Sequence, residues 1–229
     1  MIEYKEGTIF NTDADAIVNT VNCVGVMSAG LALEFGLRYP NLLSDYQSKC
    51  KEKLIKLGKM DYFDNGEKLI INFPTKWHFK YPSQISWIED GLKDFVNTYK
   101  KYKFKSVAFS KLGTLNGHLE WTDVKPLMER YLSKLDIKVY ICLDTKKEAE
   151  GIERKMVDIL NSLPQQEFHD LIKVPFTKIE LIQKNMPFIR FWELKEVAGI
   201  GFKTYEKVHK FCYKKALDDS AGEQLSLFQ

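Results

Sequence analysis

Asp15-Ala-Ile-Val-Asn-Thr-Val-Asn-Cys-Val-Gly-Val-Met-Ser-Ala-Gly-Leu-Ala-Leu-Glu-Phe35 is the stretch that decides the fold. Its opening, Asp15 to Val21, is an apolar, β-branched run that reads as a buried strand. From Leu31 onward the pattern starts a helix. Between them the chain turns through Gly25 and Gly30, with small Ser28 and Ala29 alongside. A strand, a small-residue loop and a helix N-terminus in that order form a cradle for phosphate. Glycine lets the backbone approach closely, while first-turn N–H groups and the helix dipole point at an anion. The spacing fits neither Gly-x-Gly-x-x-Gly nor the P-loop. The same residues also suit an ordinary strand-to-helix connection packed by small side chains.

Working outward, Met1 to Phe10 reads as a first strand and turn. The helix from Leu31 is expected to end at Tyr39-Pro40, and a second helix is expected over Asn41 to Leu57. Asp61 to Phe73 reads as a hairpin about Asn65-Gly66, a type I′ signal, with its second strand stopping at Pro74. Thr75-Lys76-Trp77-His78-Phe79 then follows as a loop at a strand's C-terminal end. Ligands gather at that edge in open α/β sheets. Ile85 to Tyr99 is amphipathic, Ser106 to Ser110 is a strand, and Gly113 to Gly117 forms a second glycine-bearing loop. A helix over Trp121 to Leu135 and a strand from Lys138 complete the pattern. Strands alternating with helices imply a three-layer α/β/α sandwich.

Three ordered motifs carry a family resemblance: Ala14 to Ala32, Ile70-Ile-Asn-Phe-Pro-Thr-Lys76, and Leu112-Gly-Thr-Leu-Asn-Gly-His-Leu-Glu-Trp121. Together they resemble macrodomains, and most of all the DarG-like branch and the terminal ADP-ribose glycohydrolase. The resemblance implies a macrodomain sandwich that binds ADP-ribose and hydrolyses its glycosidic bond without cofactor or metal. It makes Lys76 and Asn22 the catalytic candidates, with Asn22 facing the distal ribose; an asparagine at this position could instead cap the loop structurally. Ligand contacts are expected from Thr8, Ile9, Asn22, Gly25, Val26, Met27, Ser28, Ala29, Gly30, Leu31 and Thr75. Further contacts are expected from Gly113, Thr114, Leu115, Asn116, Gly117 and His118. Thr8 stands where macrodomains usually carry an adenine-contacting aspartate. Gly117 stands where the terminal glycohydrolase has its catalytic aspartate, which favours the branch acting on ADP-ribosylated DNA. A non-catalytic ADP-ribose-binding module, or a hydrolase of protein-linked or acylated ADP-ribose, are the alternatives.

From its setting, a lysine between Phe73 and Trp77 would be partly desolvated, with its neutral form favoured. A neutral amine can attack a sugar carbon to form a Schiff base, whereas a charged one can stabilise a leaving group. A surface lysine near a phosphate is the plainer reading. His78 and His118 are possible proton carriers, and Cys23 suits packing better than nucleophilic attack.

The chain is expected to divide near residue 150, with residues 1–150 as the α/β domain. Residues 151–217 would form a small, mainly helical extension, and 218–229 a flexible tail. Leu194 to Val208 resembles a helix-hairpin-helix about Gly199-Ile-Gly201. There backbone N–H groups would grip a DNA duplex phosphate beside Lys203 and Lys207. Helical packing about a glycine turn is the alternative. Gln224 to Phe228 resembles a sliding-clamp-binding peptide, though two leucines and a phenylalanine can equally pack on their own domain.

The 229 residues are 45% hydrophobic, with a formal net charge of +3. That is ample for one core plus an appendage. Four cysteines stand far apart, so neither a disulfide framework nor a zinc site is expected. Met1 to Glu6 is polar and strand-like rather than a leader, and no run approaches a membrane span. The expectation is a cytoplasmic protein.

Overall fold

A computed structural model describes residues 1–226, with side chains to Ser220. Alternation along the strands determines the architecture. In β2 (Ala16–Asn22), Ala16 and Val18 face one side while Ile17 faces the other. The same alternation separates Ile71 and Phe73 from Ile70 in β4 (Leu69–Lys76), and Val107 and Phe109 from Ala108 in β5 (Ser106–Ser110). In β6 (Lys138–Cys142), Val139 and Ile141 point opposite to Tyr140 and Cys142. Strands apolar on both faces need cover on both faces.

That cover comes from helices. The amphipathic α3 (Ile85–Thr98) and α4 (Trp121–Leu132) bring Leu92, Phe95, Val124 and Met128 to one core. The other face receives Phe35 from α1 (Gly30–Arg38) and Leu42 from α2 (Pro40–Lys51). With β1 (Ile2–Lys5) and β3 (Asp61–Asp64), the sheet order is β1-β6-β5-β2-β4-β3. All pairs are parallel except β3–β4. The three-layer α/β/α sandwich is as expected.

Three local expectations fail. The hairpin between β3 and β4 exists, but its loop spans the four residues Asn65–Lys68, with only Gly66 at positive φ. The Asn65 side-chain oxygen accepts from the backbone N–H groups of Glu67 and Lys68, which sets this wider turn in place of type I′. Strand β4 does not stop at Pro74 but runs through it to Lys76. Antiparallel pairing with β3 ends at Asp61↔Asn72, so beyond that point Pro74 interrupts no ladder with β3. Helix α2 ends at Lys51, not Leu57. Leu54 N–H donates to the Lys49 carbonyl (2.9 Å) and Lys53 N–H to the Cys50 carbonyl (3.1 Å), the two bonds of a Schellman cap.

The chain separates into two compact units, Met1–Thr145 and Lys146–Gln229, beside the expected boundary. The second is helical: α5 (Gly151–Ser162), α6 (Gln165–Asp170), α7 (Phe176–Lys184), α8 (Glu193–Glu196) and α9 (Phe202–Ser226). Helices α5 and α9 pack together, burying Met156, Leu160, Val208 and Cys212. Arg190 makes a fork with Glu153, at 2.9 and 3.1 Å. Helix α9 covers the first part of the expected tail, through Ser226. Leu227 to Gln229 lie outside the described residues, and with them the end of the expected clamp-binding peptide. No helix of the described residues is long and apolar enough to cross a membrane.

Helix α3 meets the sheet through Gly91, where an added Cβ would come 2.3 Å from the Phe73 ring. Gly91→Ala forces the ring or the helix to shift. The expected cost is about 1–3 kcal/mol in urea unfolding monitored by circular dichroism. An unchanged midpoint would show that the layer spacing is not fixed here.

Candidate active site

The C-terminal ends of β2 and β4 lie side by side. Their register shifts after Val21, so Asn22 pairs with Lys76. Both side chains are nearly buried, at 6% and 9% exposure. The loop that leaves β2 folds around Asn22. Its side-chain oxygen accepts from the N–H groups of Val24 (3.0 Å) and Val26 (3.3 Å), and its amide nitrogen donates to the Val26 carbonyl (2.6 Å). The Tyr46 hydroxyl donates to the Asn22 carbonyl at 2.6 Å. Asn22 therefore shapes the loop.

This loop leads into α1 without a side-chain cap. Ala29 holds the N-cap position, and no acidic residue occupies the first turn. The first N–H groups of a nine-residue helix thus lack intrahelical partners, and the helix dipole favours an anion there. The second loop closes over the same place. An added Cβ at Gly30 would lie 2.4 Å from the Asn116 amide nitrogen, so the two loops touch where one residue has no side chain. Gly117 is equally confined. A Cβ there would meet the Gly113 carbonyl oxygen at 2.2 Å and Ser83 Oγ at 2.4 Å. An aspartate at position 117 does not fit this loop, so this geometry excludes an acid there.

Lys76 joins the parts. Its Nζ donates to the Asn116 carbonyl at 2.6 Å and to the Phe79 carbonyl at 3.0 Å. Among the described residues it has no carboxylate partner. Burial lowers its pKa from the usual lysine range by penalising the charged form. The arrangement ties the amine to the Gly113–Gly117 loop, which touches Gly30 at the uncapped start of α1. The cysteine beside it differs. Burial pushes the Cys23 thiol up to about 11, which leaves it protonated and unsuited to attack.

The remaining expected contacts divide by side chain and backbone. Ile9 and Met27 bury their side chains in core clusters, so only their backbones can face a ligand. Thr75 is buried, its hydroxyl directed at the Val21 carbonyl at 3.5 Å. Thr8 precedes a short 3-10 turn over Ile9–Asn11. Gly25, Val26 and Leu31 are half-buried, whereas Ser28 and Ala29 are exposed. In the second loop Leu115, Asn116 and His118 are exposed, Thr114 is half-buried and donates to the Lys111 carbonyl, and Gly113 is buried. His78 Nδ1 accepts from Lys80 N–H at 3.2 Å. Three participants escaped the sequence reading: Tyr46, Ser83 and Phe79. Ser83 N–H donates to the Gly117 carbonyl at 2.9 Å, and Phe79 contributes only its carbonyl. Backbone groups carry no residue signature.

In the second unit, α8 is a single turn, so the glycine turn joins helices of unequal length. Gly199 takes a left-handed φ of +87°, and its carbonyl accepts from Lys178 Nζ. An added Cβ at Gly201 meets open space. Lys203 is exposed, and Lys207 donates to the Lys173 carbonyl at 3.2 Å.

A family model described as Macro domain matches residues 18–128. The macrodomain of Mycobacterium tuberculosis DarG is 41% identical with a TM-score of 0.61, covering 62% of this chain and 97% of that one. The macrodomain of Thermus aquaticus DarG is 34% identical with a TM-score of 0.60, covering 62% and 98%. A full-length M. tuberculosis relative named DNA ADP-ribosyl glycohydrolase is 39% identical over 160 residues, which is 67% of this chain and 46% of that protein. The chain thus spans a little under half the length of the curated relatives it matches. With the α/β/α sandwich, the family match and DarG macrodomains covered almost end to end at 34–41% identity, the chain belongs to the macrodomain family.

Proposed function

We propose that this protein is an ADP-ribose glycohydrolase that removes ADP-ribose from modified DNA, in a repair or antitoxin role. The observation that carries the reading is the placement of Lys76. Its amine sits at the meeting point of the uncapped α1 N-terminus and the Gly113–Gly117 loop, with burial favouring its neutral form. A diphosphate held by the two turns would bring the distal ribose to this amine. Attack of Nζ on the anomeric carbon expels the base nitrogen, which takes up the proton that Nζ gives up, and leaves a glycosylamine. Its ring C–O bond then opens as the nitrogen lone pair forms the imine and the ring oxygen takes up the remaining amine proton. Water then cleaves the resulting imine, releasing ADP-ribose and restoring the lysine. The similarity to proteins named DNA ADP-ribosyl glycohydrolase supports DNA as the modified molecule. A Thermosipho africanus relative, a fusion of a DNA ADP-ribosyl transferase with such a glycohydrolase, supports the antitoxin role.

The two carbonyls on Lys76 favour a second reading, because carbonyl acceptors hold an ammonium. In that case Lys76 binds a phosphate as its ammonium, and the site is a reader in which no bond breaks. Lys76→Ala separates the two. The glycohydrolase reading predicts ADP-ribose affinity within a few-fold of wild type by calorimetry, and at least a hundredfold slower release from ADP-ribosylated DNA. Unchanged release would remove Lys76 from the chemistry. Neutral-amine attack also sets the pH dependence. The fraction of neutral Lys76 grows as pH rises, so release should accelerate from neutral to alkaline pH, with an inflection below the ordinary lysine range. A rate that falls over that interval would assign catalysis to the ammonium.

The helical unit would add duplex contact through Gly199, Gly201, Lys203 and Lys207, and Gln224–Phe228 a contact with a sliding clamp. Lys203→Gln with Lys207→Gln should reduce the salt slope of duplex binding by about 2. An unchanged slope would free this turn from DNA. Deleting Gln224–Gln229 should abolish clamp capture, and persistent capture would place that contact elsewhere.

A further inference from the structure

Beyond Lys76 the surface combines lysines with exposed aromatic rings. Trp77, directly after the lysine, lines a groove of about 890 Å³ with Cys23, Gly25, Lys51, Lys53 and Lys56. No carboxylate lines it. The three lysines are exposed, and among the described residues none of them forms an ion pair. On the other side of Trp77 stands a cluster of exposed rings. Trp77 and Tyr81 are each 55% exposed and lie nearly parallel, 16° apart with centroids at 6.3 Å. Phe79 is 41% exposed and stacks on His78 at 4.5 Å. Water-facing rings beside unpaired lysines are the two components of a surface for single-stranded nucleic acid. Bases stack on the rings, and the backbone phosphates follow the cations.

The loop that carries these lysines adds an independent observation. Lys53 holds φ +58° at the end of α2. In this Schellman position glycine is the usual residue, because a Cβ is strained there. Lysine thus stands where folding alone favours glycine, and it is one of the residues that line the groove.

We infer that the Lys51–Lys56 groove and the Trp77–Tyr81 rings seat the single-stranded stretch of nucleic acid flanking the nucleotide presented to Lys76. This rests on the function proposed above. The groove would act on KM for a strand and leave the ADP-ribose cradle untouched.

The test uses the full chain and a variant combining Lys51→Gln, Lys53→Gly and Lys56→Gln. The probe is a fluorescent 15-residue oligothymidylate followed by anisotropy at several salt concentrations. Loss of three phosphate contacts should lower the salt slope by about 2 and weaken binding at least tenfold at low salt. Trp77→Ala should weaken binding with no change in slope, because stacking releases no counterions. Thermal unfolding should be unchanged or raised in the triple variant, since glycine relieves the strain at position 53. ADP-ribose affinity and release from an ADP-ribosylated mononucleoside should match wild type, while KM for an ADP-ribosylated oligonucleotide rises. Affinity within twofold and an unchanged slope would overturn the inference, as would a KM rise confined to an ADP-ribosylated peptide. Wild-type protein that releases ADP-ribose from neither nucleoside nor oligonucleotide would overturn the glycohydrolase reading instead. The anisotropy series decides the groove in either case.

Discussion

One buried ammonium ties the site together. Lys76 ends the strand β4, and its Nζ reaches the carbonyls of Phe79 and Asn116, 3 and 40 residues onward. The first bond folds the segment after the strand back on itself. The second fixes the glycine loop that lies against Gly30. A cation used this way costs desolvation, which the two carbonyls partly offset. The same burial depresses the pKa of the amine. Position, loop closure and the lowered pKa therefore follow from a single buried placement.

The sheet was legible because its strands are apolar on both faces. Val18 beside Ile17 and Val107 beside Ala108 cannot both be satisfied by one layer of helices, so a three-layer sandwich follows from the sequence. Local punctuation was less reliable. Pro74 reads as a stop, yet a proline past the end of a neighbouring strand is compatible with continued extension. Asn65-Gly66 reads as a two-residue turn, but the Asn65 side chain finds two N–H donors and widens the loop. In α2 the Schellman cap forms without glycine, so nothing in the sequence marked the helix end at Lys51.

The site was legible where residue type matters and silent where the backbone acts. Gly30 and Gly117 announced themselves because close approach there leaves no room for a side chain. Lys76 stood out by its place after a strand and beside aromatic residues. The acceptors that hold it are main-chain carbonyls, which any residue could supply. Asn22 shows the opposite case. The family resemblance gave it a ribose contact, with loop capping as the alternative, and its side chain is bonded within the loop that it shapes.

The most direct test of the central claim is chemical trapping. The protein would be incubated with ADP-ribosylated oligonucleotide and borohydride, digested, and its peptides weighed by mass spectrometry. The account predicts a reduced ADP-ribose adduct on the peptide holding Lys76, absent when borohydride is added after turnover is complete and ADP-ribose removed. Active enzyme that yields no adduct, or one at another lysine, would contradict it.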